Sequence, residues 1–315
     1  MSETPLLICG AGFKPEERDR LAGAFPAAFV NGPDEMGSIE NGLRAGIKAI
    51  AYKGHKPFGA AEMDLFPQLG VIANYGVGYD AIDVDAASAR SIAVTNTPDV
   101  LSDDVADIAV GLMIAQARSM VLGHAHVLTG RWAEQGEMPL NRKLSGSRVG
   151  IVGLGRIGRE IADRLAAFKM DIHYHSRAEK ETPGWTYHAD VVGLAEAVDF
   201  LVIALVGGPE TENYVSKAAI DALGPRGVVI NISRGTTVDE AALLDALEQG
   251  RIAGAGLDVF LNEPNIDKRF LRLPNVVLQP HQGSGTVETR TAMAELQLEN
   301  VACFLRGEPL KTPVN

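Results

Sequence analysis

Three short segments late in the chain each offer one chemically capable side chain. Val229–Gly235 (VINISRG) carries Arg234, Gly256–Pro264 (GLDVFLNEP) carries Glu263, and Val277–Ser284 (VLQPHQGS) carries His281. A guanidinium presents a planar fork that matches a carboxylate. An imidazole changes charge near neutrality, with an ordinary pKa of about 6.5, and so suits proton transfer. A carboxylate beside it favours the imidazolium. Such a trio suits the reduction of a 2-oxo acid. Arg234 would hold the carboxylate and polarise the ketone, His281 would protonate the oxygen, and Glu263 would tune His281. Taken singly, each has a plain structural reading, namely a surface charge, a loop residue and a Glu-Pro turn. Their joint occurrence behind a nucleotide-binding turn is what gives them weight.

That turn lies in Arg148–Ala162 (RVGIVGLGRIGREIA), which reads as strand, tight turn and helix. Gly153, Gly155 and Gly158 supply the spacing G-x-G-x-x-G. The first allows the turn, the second a close approach to a pyrophosphate, and the third close packing of helix on strand. The helix start then offers free N–H groups and partial positive charge to phosphates. The next strand ends in His173–Arg177 (HYHSR), with Lys180 just beyond. An NAD-type site has an acidic residue there for the ribose 2′-hydroxyl. A hydroxyl and a guanidinium at Ser176 and Arg177 suit a 2′-phosphate instead, so the expected cofactor is NADP(H) in preference to NAD(H).

Short apolar runs alternate with helical patterns along the whole chain, which predicts a parallel α/β protein. Expected strands in the first part are Leu6–Cys9, Ala28–Val30, Lys48–Ala51, Val71–Asn74 and Ile92–Val94, with a helix at Asp83–Arg90. A long apolar helix is expected over Ser102–Ala117, then a loop-rich stretch over Gly130–Ser145. A second strand series follows at Arg148–Val152, Met170–Tyr174, Phe200–Ala204, Val228–Ile232, Ala253–Leu257 and Val276–Leu278, closed by a helix over Thr286–Phe304. The expected architecture is two Rossmann-like or flavodoxin-like parallel-sheet domains. A nucleotide-binding domain, residues 101–283, is inserted into a substrate domain made of residues 1–100 and 284–315.

The 29 Lys and Arg against 40 Asp and Glu give a net charge of −11 over 315 residues, which argues against nucleic acid and anionic membranes as partners. No apolar run of about 18 residues offers a membrane span. The N-terminal stretch reads as a buried strand and not as a signal peptide. Cys9 and Cys303 sit in apolar segments with no metal-ligand spacing, so they read as reduced buried thiols, no metal is expected, and a cytoplasmic location fits.

Together with Gly76–Asp80 (GVGYD), Asn96–Pro98 (NTP) and Val105–Asp107 (VAD), these segments resemble the D-isomer-specific 2-hydroxyacid dehydrogenase family from about Gly70 to Pro313. Within it, the Ser176–Arg177 ending and the chain length resemble the glyoxylate/hydroxypyruvate reductase branch. The resemblance implies that Arg234, Glu263 and His281 are the catalytic set and that the Val77 and Gly78 amides bind the substrate carboxylate. It places Leu154, Gly155, Arg156, Ile157, Ser176 and Arg177 at the pyrophosphate and adenosine end. Val105, Leu205, Val206, Thr211, Ile232, Ser233 and Gly283 would join Gly153, Gly158, Arg234 and His281 along the cofactor cleft, with Asp258 near the nicotinamide amide. It further implies a homodimer in which the long helices, here Ser102–Ala117, pack together. One stretch departs: where the family often reads His-x-Pro-Leu-Thr-Pro-x-Thr, this chain has Ala204–Thr211 (ALVGGPET), in which Thr211 remains in place. The activity implied is NADPH-dependent reduction of glyoxylate and hydroxypyruvate to D-2-hydroxy acids. A dehydrogenase for a bulkier 2-oxo acid, with Trp132 and Tyr52 shaping the pocket, and a dinucleotide-sensing binding protein are the alternatives.

Overall fold

The computed structural model describes residues 5–315, which fall into two compact units. One takes the chain through Leu101 together with Thr286–Asn315, and the other is Ser102–Gly285. The first four residues, part of the stretch read above as a strand and of the expected substrate domain, lie outside the described residues.

In the first unit, strands β1 (Leu6–Cys9), β2 (Ala27–Val30), β3 (Ala49–Tyr52), β4 (Val71–Asn74) and β5 (Ala93–Thr95) form one sheet of order β2-β1-β3-β4-β5. All pairs are parallel, and the order is that of flavodoxin-like folds. Every residue of β1, β3 and β4 is buried, which is why these strands read as unbroken apolar runs. The closing helix Val287–Arg306 packs on β3 and β4 of this sheet. Its Gln297 amide donates to the carbonyls of Tyr52 and Ala73, a buried polar anchor inside an apolar layer.

The second unit holds β6 (Arg148–Val152), β7 (Asp171–His175), β8 (Thr186–His188), β9 (Phe200–Ile203), β10 (Val228–Asn231), β11 (Gly254–Leu257) and β12 (Val276–Leu278). Their order, β12-β11-β10-β9-β6-β7-β8, is the Rossmann order with one added edge strand, and again all pairs are parallel. The order reverses between β6 and β9, so the ligand crevice of such a sheet opens at their carboxyl ends. Val149, Ile151 and Val152 on β6 are wholly buried, each contributing about 1.5–3 kcal/mol of apolar burial.

The structure departs from the sequence reading in four ways. Several strand ends shift by one residue, as at Ala49–Tyr52, Ala93–Thr95 and Asp171–His175, because the last pairing residue need not be apolar. The helix expected at Asp83–Arg90 spans Val84–Ala89, with Asp83 capping it through the Ala86 N–H. β8, a polar three-residue edge strand, has no hydrophobic signature and is recognised only by its pairing with β7. The expected loop after Gly130 contains a short helix, Arg131–Gln135, which follows another at Met120–Leu128.

The helix Ser102–Ala117 forms where expected, yet its apolar side is consumed within its own unit. Val105, Ala109, Leu112 and Met113 are buried as it packs on β10, β11, β12 and the helix Arg156–Ala167. Arg164 on the latter ties the two helices together, meeting Asp103 at 2.6 Å and Asp107 at 2.7 Å. Exposed apolar surface lies instead on the next helix, where Leu128 is 71% exposed. Among the described residues no single helix is long and apolar enough to cross a membrane.

Candidate active site

The glycine turn follows β6 directly. Gly153 has φ +97°, a region side chains rarely adopt, and a Cβ there would meet the Ala204 carbonyl oxygen at 2.7 Å. A Cβ at Gly158 would lie 2.0 Å from the Gly153 carbonyl oxygen, so only glycine lets the helix Arg156–Ala167 sit this close to the strand end. Gly155, by contrast, faces open space. As N-cap it gives its helix no side-chain hydrogen bond, whereas Asp239 and Thr286 cap theirs through the N–H groups of Ala242 and Thr289. No side chain at the N-cap competes at this helix start, which suits phosphate oxygens there. An open cradle, an uncapped helix and a switch point at one spot fit a dinucleotide. Leu154 is buried beneath the turn, Ile157 half-buried, and Arg156 exposed beside it.

The adenosine end of such a crevice lies at β7. The Gly153 N–H donates to the His175 carbonyl at 2.9 Å, which brings this strand end against the turn. Arg177 is exposed there and Ser176 is buried. The Ser176 hydroxyl donates to the Ala178 carbonyl at 2.6 Å and so shapes the turn that presents Arg177. His175, just before them, is fixed by two contacts. Its Nδ1 donates to the His188 carbonyl at 2.9 Å, and its Nε2 accepts from the Tyr214 hydroxyl at 2.8 Å. His188 in turn meets His173 at 2.9 Å, and burial first, then the charge of His173, push the His188 imidazole below its ordinary pKa.

Across the switch point, the loop after β9 carries the departure from the family pattern. Leu205 is half-buried, Val206 is exposed, and Thr211 folds the loop by donating to the Val206 carbonyl at 2.7 Å. The Ser233 hydroxyl donates to the Leu205 carbonyl at 2.5 Å, tying the ends of β9 and β10 together. Ile232 and Ser233 are buried, so they line this edge from within.

Arg234 follows at the carboxyl end of β10. Its carbonyl accepts from the Asn231 amide at 2.9 Å and the Thr237 hydroxyl at 2.7 Å, which fixes the backbone from which the guanidinium extends. Asn231 and Thr237 escaped sequence reasoning, because a polar residue at a strand end carries no periodic signal.

Glu263 and His281 come together in the same unit. The Glu263 Oε2 lies 2.7 Å from His281 Nδ1, and its Oε1 accepts the Phe260 N–H at 2.8 Å. A carboxylate only accepts, so Nδ1 carries the hydrogen and Nε2 is the nitrogen left for proton transfer. Both side chains are partly exposed, at 32% for His281 and 24% for Glu263, which permits access to a substrate. His281 itself adopts φ +53°, an uncommon backbone for a side-chain residue. Asp258 sustains that conformation. Its carbonyl accepts the His281 N–H at 2.8 Å, and its carboxylate accepts the Gln282 N–H at 2.6 Å and the Gly283 N–H at 2.8 Å. Burial raises the Asp258 carboxyl above its ordinary range against the pull of those two amides. Val105 packs 3.3 Å from where a Gly283 Cβ would stand. Asp258, expected near a nicotinamide amide, is thus also the anchor of the histidine loop.

In the first unit, the Val77–Gly78 turn follows β4. The Asn74 amide donates to the Gly78 carbonyl at 2.9 Å and the Gly76 carbonyl at 3.2 Å, and the Asn96 amide donates to the Val77 carbonyl at 2.9 Å. Thr97 completes the frame, accepting the Gly76 N–H at 3.1 Å. All three carbonyls are held this way, while the Val77 and Gly78 amides find no acceptor among the described residues. Consecutive unpaired amides suit an anion.

Comparison with known proteins gives the family. The family model described as D-isomer specific 2-hydroxyacid dehydrogenase, NAD binding domain, matches residues 110–283. A 2-ketogluconate reductase of Gluconobacter oxydans is 46% identical over 314 residues, the whole of both chains. A hydroxyphenylpyruvate reductase of Plectranthus scutellarioides is 46% identical over 268 residues, 85% of each. An NADPH-dependent glyoxylate/hydroxypyruvate reductase from Sinorhizobium meliloti, solved with NADP and malonate, superposes with a TM-score of 0.93. It is 43% identical, over 99% of this chain and 97% of that one.

Proposed function

Since the chain belongs to the D-isomer specific 2-hydroxyacid dehydrogenase family, we propose that it reduces glyoxylate and hydroxypyruvate to D-2-hydroxy acids, with NADPH preferred over NADH. The chain is an NAD(P)-dependent 2-hydroxyacid dehydrogenase/reductase acting on small 2-oxo acids, and it uses NADP(H). The observation that supports the reaction most directly is the 2.7 Å pair of Glu263 with His281, in the same unit as Arg234 and the glycine turn.

In this reading Arg234 forks onto the substrate and polarises its ketone. The Val77 and Gly78 amides are offered to the carboxylate. The chemistry that NADPH supplies when bound is a hydride to the carbonyl carbon. His281 gives its Nε2 proton to the oxygen, and Glu263 stabilises the imidazolium before that transfer. Gly153–Gly158 hold the pyrophosphate. Arg177 meets the 2′-phosphate, in a turn that Ser176 shapes. Asp258, whose two carboxylate oxygens each accept one backbone N–H, is the residue that would accept from a nicotinamide amide.

A second reading, reduction of a bulkier 2-oxo acid, is favoured by the likeness to the 2-ketogluconate and hydroxyphenylpyruvate reductases. Initial rates on glyoxylate, hydroxypyruvate, hydroxyphenylpyruvate and 2-ketogluconate, each with NADPH and NADH, separate the two. A kcat/KM highest for either of the small acids supports the first reading. A maximum for either of the larger ones replaces it with the second, and faster turnover with NADH overturns the cofactor preference.

The homodimer rests on apolar surface. Met120, Val121, Val127, Leu128, Trp132 and Leu140 are all more than half exposed along the two short helices and the loop that follows them. A patch of this kind marks an interface. Light scattering that gives the mass of one chain would refute it. Cytoplasmic location is supported by two free buried thiols, Cys9 and Cys303, which suit a reducing compartment. Burial pushes Cys9 up to about 12, which keeps it unreactive. Recovery of the protein in a secreted fraction would overturn that assignment.

A further inference from the structure

Glu263 can tune His281 only if the turn that carries it stays put, and that turn has no regular structure of its own. It runs from Val259 to Pro264, after β11 has ended. Two contacts from a single neighbouring segment fix it. Gly235, the residue after Arg234, packs against it so closely that a Cβ there would lie 2.0 Å from the Phe260 carbonyl carbon and 2.3 Å from the Leu261 nitrogen. Five residues on, Glu240 opens the helix Glu240–Glu248, and its Oε2 accepts the Leu261 N–H at 2.8 Å.

The geometry assigns Glu240 the role of a positioning residue, which clamps the Glu263-bearing turn onto the segment that carries Arg234. Successive amides of the turn are then held by different carboxylates, Phe260 by Glu263 and Leu261 by Glu240. The first bond aims Glu263, and the second holds the peptide from which it is aimed. Glu240 is half-buried, and burial raises its carboxyl above the ordinary range, with the charges of Asp267 and Glu263 adding to the rise. A half-buried carboxyl near two like charges is an unfavourable choice for packing alone. Its return is the acceptor it gives to an amide that otherwise has none among the described residues. Glu240 therefore acts through Glu263 and has no contact with substrate in this scheme.

The inference rests on the assignment of Glu263 and His281 as the proton-transfer pair, and the test separates the two. Glu240→Ala removes the acceptor, while Glu240→Gln keeps an acceptor oxygen and removes only the charge. In the Ala variant kcat for 2-oxo acid reduction is expected to fall roughly ten- to hundredfold, the cost of a slight misplacement of catalytic groups. KM for NADPH stays unchanged, and the alkaline limb of the kcat profile moves to lower pH. The Gln variant is expected to restore most of kcat and the wild-type profile. A second readout needs no turnover. The Nδ1–H proton of His281, followed by NMR in protein free of cofactor, is expected to broaden through solvent exchange in Ala and to stay sharp in Gln. Should the Ala variant not fold, Glu240→Asp, one methylene short of Leu261, carries the same expectation. Equal impairment of Ala and Gln, or loss of thermal stability with an unmoved pH profile and an unmoved Nδ1–H signal, overturns the assignment. Inactivity of wild type on every 2-oxo acid would instead overturn the proton-transfer reading and leave the NMR comparison standing.

Discussion

Replacing Glu263 by Gln tests the proton-transfer pair with the least change in shape. Both oxygens of Glu263 are engaged, Oε2 with His281 Nδ1 at 2.7 Å and Oε1 with the Phe260 N–H at 2.8 Å. Glutamine has one oxygen and one NH2. The backbone N–H of Phe260 can only donate, so it recruits the oxygen and turns the NH2 toward His281. The imidazole then has to accept at Nδ1, which places its hydrogen on Nε2 in the neutral form and leaves the imidazolium unsupported. A hydrogen bond to a charged partner is worth about 1.5–3 kcal/mol, or roughly 10- to 150-fold in rate at 1.4 kcal/mol per decade. The expected result is a kcat for 2-oxo acid reduction lower by that factor at neutral pH. The alkaline fall-off moves down by about one to two pH units, since each unit corresponds to about 1.36 kcal/mol. KM for the 2-oxo acid is expected to change little, because the proposed carboxylate ligand Arg234 is untouched. Stopped-flow or steady-state absorbance of NADPH between pH 5 and pH 9 reads all three. A variant within about threefold of wild type in kcat, with the same pH profile, would show that the Glu263–His281 contact plays no part in proton delivery.

Three further outcomes follow from named contacts. Arg177→Ala is expected to lower kcat/KM with NADPH by about 10- to 150-fold, the worth of a charged hydrogen bond, and to leave NADH unchanged. Equal losses with both cofactors would refute the 2′-phosphate assignment. Gly158→Ala must push the Arg156–Ala167 helix away from Gly153, since its Cβ would stand 2.0 Å from that carbonyl oxygen. Overpacking of this kind costs about 1–3 kcal/mol, so a lowered Tm together with weaker NADPH binding is expected, and an unchanged Tm would contradict the close packing. His188 has its folded pKa depressed, by burial first and then by His173, so its contribution to stability is present above the ordinary imidazole value of about 6.5. That contribution is lost as pH falls through the lower folded value. Wild type is therefore expected to lose Tm more steeply than His188→Gln as pH falls from about 6.5 through the lower folded value, and parallel curves across that window would refute the linkage.

The sequence by itself determined the apolar strands, the glycine turn and the candidacy of Arg234, Glu263 and His281. Buried parallel strands must be apolar on both faces, a turn that approaches its own helix must be glycine, and a carboxylate fork must be arginine. Each is a local demand that residue type records directly. What only the tertiary structure decided is how those groups are held. β8 has no apolar run, so its existence depends on β7 lying beside it. The apolar stripe of Ser102–Ala117 reads as a contact between copies. Within the chain, its Val105, Ala109, Leu112 and Met113 are buried against β10–β12, and large exposed apolar side chains lie on the following helix. Asn74, Asn96 and Thr97 frame the Val77–Gly78 turn, and Asp258 and Glu240 hold backbone amides of the loops that carry His281 and Glu263. Such hydrogen bonds leave no periodicity behind, because a polar side chain at a strand end looks the same whether it faces water or anchors a backbone.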